Sequence, residues 1–450
     1  MSARQLGWPG IVRLGLVQTA LGAIVVLTTS TLNRVMVVEL ALAASLPGAL
    51  VALHYGIQLA RPRLGYGSDV GGRRTPWIIG GMALLALGGI GAACATALMA
   101  KTVGGGIAMA VVAFVLIGLG VGAAGTSLLV LLASRVAPAR RPAAATVVWT
   151  MMIAGFVITA ASAGHFLDPF SFERLIGVTS VVSISAFVVS VLAVGRLEHR
   201  TEPVSTTPAD TARAPFRAAL AEVWAEPRAR LFTVFVFVSM LGYSAQDLIL
   251  EPFAGLVFGY SPGASTQLAG TQHGGVLAGM LLVALVSSLP AGRRLIGIRG
   301  FTLGGCLASA LALALLALAG LHGPPWPLAA GVFALGLANG CFAVAAIGAM
   351  MTLAGEGHAR REGVRMGLWG AAQAIAFGVG GFAGALGVDL LRQLGSAPAT
   401  AYAVVFALEG LLFVAAAALA ARVMQTTVVT PARCDVVTSA SEYAIGMSRS

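Results

Sequence analysis

Twelve apolar stretches, each long enough to cross a lipid bilayer, limit most strongly how this chain can fold. A spanning helix needs about 20 apolar residues, because the hydrocarbon core of a bilayer is roughly 30 Å thick. The stretches lie at about 12–32, 37–60, 76–99, 106–132, 146–165, 175–195, 231–251, 274–290, 301–321, 327–354, 367–388 and 400–421. Only 10% of the residues are charged, against about 25% in soluble domains. We predict an all-α membrane protein of about twelve transmembrane helices.

The basic residues predict how these helices are oriented. If the N-terminus is cytoplasmic, 24 of the 28 Lys and Arg residues fall in cytoplasmic segments, as the positive-inside rule requires. The outer loops then hold only Arg34, Lys101, Arg174 and Arg392. The net charge of +11 therefore reports topology and contact with anionic lipids rather than nucleic-acid binding. We expect a bacterial inner (intracytoplasmic) membrane protein with both termini in the cytoplasm.

The most hydrophilic internal stretch divides the chain into two halves. We predict a six-helix half at 1–195, a cytoplasmic linker at 196–230, a second six-helix half at 231–421 and a flexible tail at 422–450. A repeat supports the division. Gly72-Arg73-Arg74 recurs at 292–294, and Arg141 with Trp149 recurs as Arg361 with Trp369, each at an offset of 220 residues. Transporters are commonly built from such repeats, with the ligand site between them.

The loop after the second stretch resembles the cytoplasmic loop motif of the major facilitator superfamily. Its matching residues are Gly65, Asp69, Gly72, Arg73 and Arg74. The resemblance implies a major-facilitator-type bundle in which this loop latches the two halves in one conformation. Val70 stands where the motif usually has a basic residue and Gly67 where it has a bulky apolar one, so we expect a weaker latch.

Polar residues inside apolar stretches are the candidate site, because burying them in a membrane is costly. The candidates are Asn33, Arg34 and Glu39 in the first half, and Gln246, Asp247 and Glu251 in the second. We expect the two groups near the periplasmic ends of the first, second and seventh spans, with Pro252 ending or kinking the seventh. Under the repeat they could meet, with Arg34 pairing with Asp247 or Glu251. The alternative is that water simply wets them at the outer interface.

Three strings carry a closer resemblance. They are LTTSTLNRVMVVEL at 27–40, RPRLGYGSDVGGRRTPW at 61–77 and QDLILEPFAG at 246–255. With them the chain resembles the bacteriochlorophyll delivery family, the PucC- and LhaA-type branch of the major facilitator superfamily, near proteins labelled as a chain of bacteriochlorophyll synthase. The resemblance implies a non-enzymatic carrier that delivers bacteriochlorophyll, or a late precursor, to light-harvesting apoproteins. Pigment-synthesis enzymes would be further partners.

A pigment cargo would need one axial donor for its magnesium, and His54 is the candidate within an apolar span. The other interpretation of His54 is a hydrogen bond to a neighbouring helix. His273 carries the same two interpretations at the start of the eighth span. We expect no nucleotide and no protein-bound metal, because Gly104-Gly-Gly lacks the rest of a phosphate-binding loop and the cysteines form no paired motif.

Two other functions remain open from the sequence. One is a proton-coupled facilitator for a small solute, suggested by Asp247, Glu251 and Glu39. The other is an accessory subunit of bacteriochlorophyll synthesis, which the missing D-x-x-x-D diphosphate-binding motif disfavours.

Overall fold

The structure, a computed structural model, describes residues 6–60, 73–137, 140–195, 197, 216–289, 296–355 and 362–425. In that part every regular element is a helix. The first half contains α1 Trp8–Glu39, α2 Ser45–Gln58, α3 Thr75–Met99, α4 Val103–Arg135, α5 Arg141–Leu167 and α6 Phe172–Val194. A short linker helix, Phe216–Ala225, precedes the second half. The second half contains α7 Pro227–Phe258, α8 Pro262–Ser288, α9 Gly297–His322, α10 Leu328–Gly355, α11 Glu362–Gln393 and α12 Pro398–Gln425.

Eleven of these helices are long and apolar enough to cross a membrane. The shorter helix α2 lies lengthwise against α11. A Cβ on Gly48 would be 3.1 Å from that of Ala385, and a Cβ on Gly378 would be 3.3 Å from that of Tyr55. The two contacts are seven residues apart on each helix and run antiparallel. Helix α2 is thus the twelfth member of the bundle, and the predicted fold class is confirmed.

Four predicted boundaries were wrong. The first span does not end near residue 32, because α1 continues unbroken to Glu39 and the second helix begins only at Ser45. The seventh helix does not end at Pro252; it continues to Phe258 and terminates at Gly259 in a left-handed conformation. The eighth helix begins at Pro262, so His273 lies in its fourth turn rather than at its start.

Contacts between helix ends define the two faces of the bundle. The backbone N–H of Leu6, before α1, donates to the carbonyl of Arg135 at the end of α4. Arg13 donates to carbonyls at the end of α6, where a cation suits the helix dipole. Arg365, near the start of α11, binds Glu226 at the start of α7 at 2.6 Å. We call this side, where α1 and α7 begin, the terminal face, and the opposite side the far face.

The closest helix contact described joins α8 and α10. A Cβ on Gly336 would lie 2.0 Å from the carbonyl oxygen of Gln272, and one on Gly340 would lie 2.1 Å from that of Val276. Only glycine permits two parallel backbones to approach this closely. Such small-residue faces replace the hydrophobic driving force that lipid cannot supply. This contact fixes the position of the α8 segment that carries Gln272 and His273.

Candidate functional site

Pro252 creates the acceptor that joins the two halves at the far face. A proline has no N–H, so inside a helix it leaves the carbonyl four residues earlier without its usual donor. That carbonyl belongs to Leu248, and the side-chain amide of Asn33 on α1 donates to it. The helix continues through Pro252 because a side chain from the other half replaces the missing backbone bond.

Two further contacts join α1 to the second half. The hydroxyl of Ser30 donates to the carboxylate of Glu251, which is 1% exposed. The hydroxyls of Thr31 and Thr266 on α8 are 3.1 Å apart. The two predicted polar groups therefore do meet.

Arg34 is held in the same interface and is only 2% exposed. Its guanidinium pairs with Glu39 on its own helix and donates to the backbone carbonyl of Tyr260 at 2.7 Å. Glu251 is close enough to attract it. Asp247 instead accepts a hydrogen bond from Gln272 at 3.3 Å, so the predicted pairing of Arg34 with Asp247 is not observed.

Wide helical turns explain how consecutive polar residues of α1 can all be buried. Residues Leu27–Thr31 and Val35–Glu39 form π-helical turns. The N–H of Leu32, for example, donates to the carbonyl of Leu27, five residues back. Each such turn holds an extra residue and changes which side chains face the neighbouring helix. Turns of this kind occur frequently at functional sites.

A pair of carboxylates, which the sequence analysis missed, caps helices across the interface. Asp389 at the end of α11 accepts from the N–H groups of Ala44 and Ser45 at the start of α2, at 2.9 and 2.7 Å. Asp168 after α5 accepts from the hydroxyl of Ser261 at 2.7 Å and from the N–H of Gly263 at 3.3 Å, at the start of α8. A carboxylate at a helix N-terminus satisfies unpaired N–H groups and opposes the positive end of the helix dipole.

These hydrogen bonds locate the closure of the bundle. Within the described part of the chain, the hydrogen bonds that join the two halves lie near the ends of α1, α5, α7 and α11 and the starts of α2 and α8, at the far face. The same residue types could bind a polar ligand only if the halves separated there. In this conformation they act as a closure between the halves.

The two histidines differ in what their rings can offer. His54 is 1% exposed and its Nε2 lies 2.6 Å from the side-chain nitrogen of Gln58, one turn along α2. His273 is half-buried, with Nδ1 2.8 Å from the carbonyl oxygen of Ala269 and its ring edge-on to Phe156 of α5. A carbonyl only accepts, so Nδ1 of His273 carries the proton and Nε2 has the free lone pair.

Part of the predicted latch loop cannot be placed. Gly65, Asp69 and Gly72 lie outside the described residues. Arg73 is exposed, and Arg74 donates to the hydroxyl of Ser134 at the end of α4, at 3.2 Å and within the first half. A latch between the halves at this loop stays a prediction.

Comparisons with known proteins place this geometry in a family context. Residues 31–428 match the PUCC protein family. The chain is 55% identical over 420 residues to the bacteriochlorophyll synthase 44.5 kDa chain of Rhodobacter capsulatus, covering 93% of this chain and 96% of that relative. It is 31% identical over 434 residues to protein PucC of Cereibacter sphaeroides, covering 91% of each.

Solved transporter structures share the fold. A peptide transporter POT superposes with a TM-score of 0.68 at 15% identity, covering 94% of this chain and 98% of that one. The nucleoside transporter NupG superposes with a TM-score of 0.66 at 14% identity, covering 92% and 98%. Identities this low establish the architecture, a major-facilitator-type bundle, and leave the cargo open.

Proposed function

Since the chain belongs to the PUCC protein family, we propose that it carries bacteriochlorophyll, or a late precursor, within the membrane for assembly of light-harvesting complexes. The observation that carries the proposal is the 55% identity to a chain named for bacteriochlorophyll synthase, over nearly the full length of both proteins. Light-harvesting apoproteins and pigment-synthesis enzymes are the partners this role requires, with anionic lipids around the basic terminal face. The host membrane is the bacterial inner (intracytoplasmic) membrane, with both chain termini in the cytoplasm.

The chemistry of the bundle supports such a cargo. The pigment is large, apolar and already soluble in lipid, so lateral delivery suits it better than pumping across the membrane. Its magnesium needs one neutral axial donor. A ligating histidine usually donates its other ring N–H to a carbonyl or carboxylate, which fixes the ring.

His273 meets this requirement better than His54. Its Nδ1–H is already bound to the Ala269 carbonyl, which leaves Nε2 as the donor atom. Phe156 packs beside the ring and supplies an apolar surface. At His54 the Nε2 atom already contacts Gln58, and a pigment could reach it only if that contact and the packing around α2 opened. We therefore propose His273 as the axial donor.

An absorption spectrum of the gently purified chain tests the proposal. The chain is tagged, expressed in a phototrophic bacterium and extracted in mild detergent. We expect a near-infrared band that co-elutes with the protein in size-exclusion chromatography. An unrelated tagged facilitator from the same membranes is the control for free pigment. A pigment-free chain, together with normal antenna complexes in a strain lacking the gene, would overturn the proposal.

The name of the Rhodobacter capsulatus relative, a bacteriochlorophyll synthase chain, also supports a second candidate function. In that role the chain would be an accessory subunit of pigment synthesis. The two roles separate in a reconstituted assay. A carrier leaves the rate of pigment tail attachment by the synthesis enzymes unchanged, whereas a subunit raises that rate in the absence of any apoprotein.

A further inference from the structure

Two polar side chains lie in the apolar core of the second half without visible partners. Gln246 on α7 is fully buried and Glu409 on α12 is 2% exposed. Among the described residues, neither amide atom of Gln246 and neither carboxyl oxygen of Glu409 has a hydrogen-bond partner. Leaving such a group unpaired costs roughly 1–3 kcal/mol, so each of these side chains has hydrogen-bonding capacity that this conformation leaves unused.

The packing of α7 against α12 brings these two residues to the same level. The antiparallel register is fixed by Gly242 against Phe413 and by Phe253 against Phe406. Gln246 is one turn beyond Gly242 on α7, and Glu409 is one turn before Phe413 on α12. Side chains one turn apart share a helix face, so Gln246 and Glu409 lie at the same level on the contacting faces of α7 and α12, although their polar atoms are not hydrogen-bonded in this conformation.

A neutral carboxylic acid is the form of Glu409 that Gln246 can pair with completely. The acid offers one O–H donor and one carbonyl acceptor, and the amide offers the complementary acceptor and donors. An ionised carboxylate only accepts, so it would leave Oε1 of Gln246 without a donor. Transfer of an unpaired ionised group into an apolar interior is also far more costly than transfer of the neutral acid.

Among the described residues, the groups around Glu409 supply no cation for an ionised carboxylate. Helix α12 packs against α7, α9 and α11. On α7 the titratable neighbour of Glu409 is Asp247, itself an acid. On α11, Arg365 binds Glu226 near the start of the helix, and Asp389 and Arg392 lie at its end beside Tyr402, which is seven residues and about 10 Å before Glu409 on α12.

On the remaining sides the groups near Glu409 are neutral. The backbone of Ala310 on α9 lies against Gly410. Ser309 donates to the amide oxygen of Asn339 on α10 at 2.8 Å, and the amide nitrogen of Asn339 has no partner among the described residues. Asn339 is one turn before Phe342, whose ring contacts Phe413, so its free N–H groups lie at the level of Glu409.

We propose that Glu409 and Gln246 form a proton-binding site in the core of the second half. Asp247 is the proton relay of this site, because it is half-buried, adjacent in sequence to Gln246 and hydrogen-bonded to Gln272 of α8. The proton is held as the carboxyl O–H of Glu409, and it leaves through Asp247 when α7 and α12 shift. The inference does not depend on which cargo the protein carries.

Infrared difference spectroscopy of the purified full-length chain tests the site. At neutral pH we expect a carbonyl band of a protonated carboxyl group that is absent in Glu409→Gln and retained in Glu251→Gln. Replacing Gln246 with Leu should shift this band, because the protonated acid loses the polar neighbour proposed to pair with it. In heavy water the band shifts as the proton exchanges, and Asp247→Asn slows that exchange about tenfold or more. Melting temperatures of all variants show whether each one is folded.

Three results would overturn the proposal. The first is loss of an ionised-carboxylate band, rather than an acid band, in Glu409→Gln. The second is a Glu409 signal that changes between sodium and choline chloride, which identifies a metal-cation site. The third is a proton exchange rate that Asp247→Asn leaves unchanged, which makes the buried acid a purely structural group.

Discussion

The bond from Asn33 to the Leu248 carbonyl depends on a third residue, Pro252. Pro252 removes the donor that would otherwise occupy this carbonyl, and Asn33 of the other half supplies one. We expect Asn33→Leu to destabilise the folded protein by about 1 kcal/mol, since hydrogen bonds between membrane helices are worth about 0.6–2 kcal/mol.

A double-mutant cycle isolates this dependence. In a Pro252→Ala background the Leu248 carbonyl regains its backbone donor, so Asn33→Leu should cost measurably less. Thermal unfolding in detergent gives the four stabilities. Equal costs in the two backgrounds would show that Asn33 acts through some other contact.

The two histidines make a matched pair for testing the axial donor. We expect His273→Leu to lower the pigment retained per chain by about tenfold or more, as loss of groups around a metal typically does. His54→Leu should retain most of it, because its Nε2 is engaged by Gln58. The ratio of pigment to protein absorbance measures both. The opposite result would assign the donor to His54 and still support pigment binding, whereas a pigment-free wild type would not.

The sequence indicated the important polar residues more reliably than it indicated the residues they contact. Asn33, Arg34 and Glu251 stood out because polar groups are rare in apolar stretches. Their contacts depend on the wide turns of α1, which no local pattern indicated. Asp168 and Asp389 were missed because each lies at a span end, where an acidic residue can be satisfied by water. Glu409 lies within the twelfth apolar stretch, but its position beside Gln246 depends on the register of α7 against α12, which the sequence does not give.

At the scale of helices, Asp168 and Asp389 make equivalent contacts in the two halves. Each follows or ends the fifth helix of one half and caps the second helix of the other. The two positions differ by 221 residues, close to the repeat offset of 220 read from the arginine and tryptophan positions. The repeat thus places one capping aspartate in each half, and both aspartates join the halves at the far face.

Removing both caps should favour separation of the halves at the far face. A charge at a helix N-terminus contributes about 0.3–1 kcal/mol, so Asp168→Asn with Asp389→Asn should shift the equilibrium by about 1–2 kcal/mol, roughly 5- to 30-fold. The opening can be measured with Thr28→Cys, at a buried position, in a background without native cysteines. The rate at which an impermeant maleimide labels this cysteine reports how often the halves separate. Glu173→Gln, an exposed acid on the same face, is the matched control. Equal labelling rates in all variants would show that the caps do not hold the closure.

Helix existence followed from composition, whereas helix ends followed from tertiary contacts. Every predicted span coincides with a helix to within about five residues at one end or both. The break predicted between the first two spans was misplaced, because the segment 33–39 is polar enough to suggest a loop yet remains helical by packing against α7. The seventh extends past Pro252 because Asn33 compensates for the missing backbone bond. In each case a partner from the other half overrode a local signal.

At the scale of the whole molecule, the fold and the charge distribution together predict an orientation. Nine helices, α4 to α12, separate the exposed Lys101 from the tail. An odd number of crossings places the two on opposite sides of the membrane. The positive-inside rule then puts the terminal face, with 24 of the 28 basic residues, in the cytoplasm.

Cysteine labelling checks both statements with one native probe. Cys434 in the tail is the only cysteine of the sequence outside the predicted spans. An impermeant maleimide should label it in inverted vesicles and not in spheroplasts, and Cys434→Ser should abolish that signal. Lys101→Cys in the Cys434→Ser background should show the reverse pattern. If both positions react from the same side, one of the nine helices α4 to α12 does not cross the membrane as the bundle requires. If both patterns are exchanged, the bundle stands and the positive-inside assignment fails, because twenty-four cations would then lie on the outer surface.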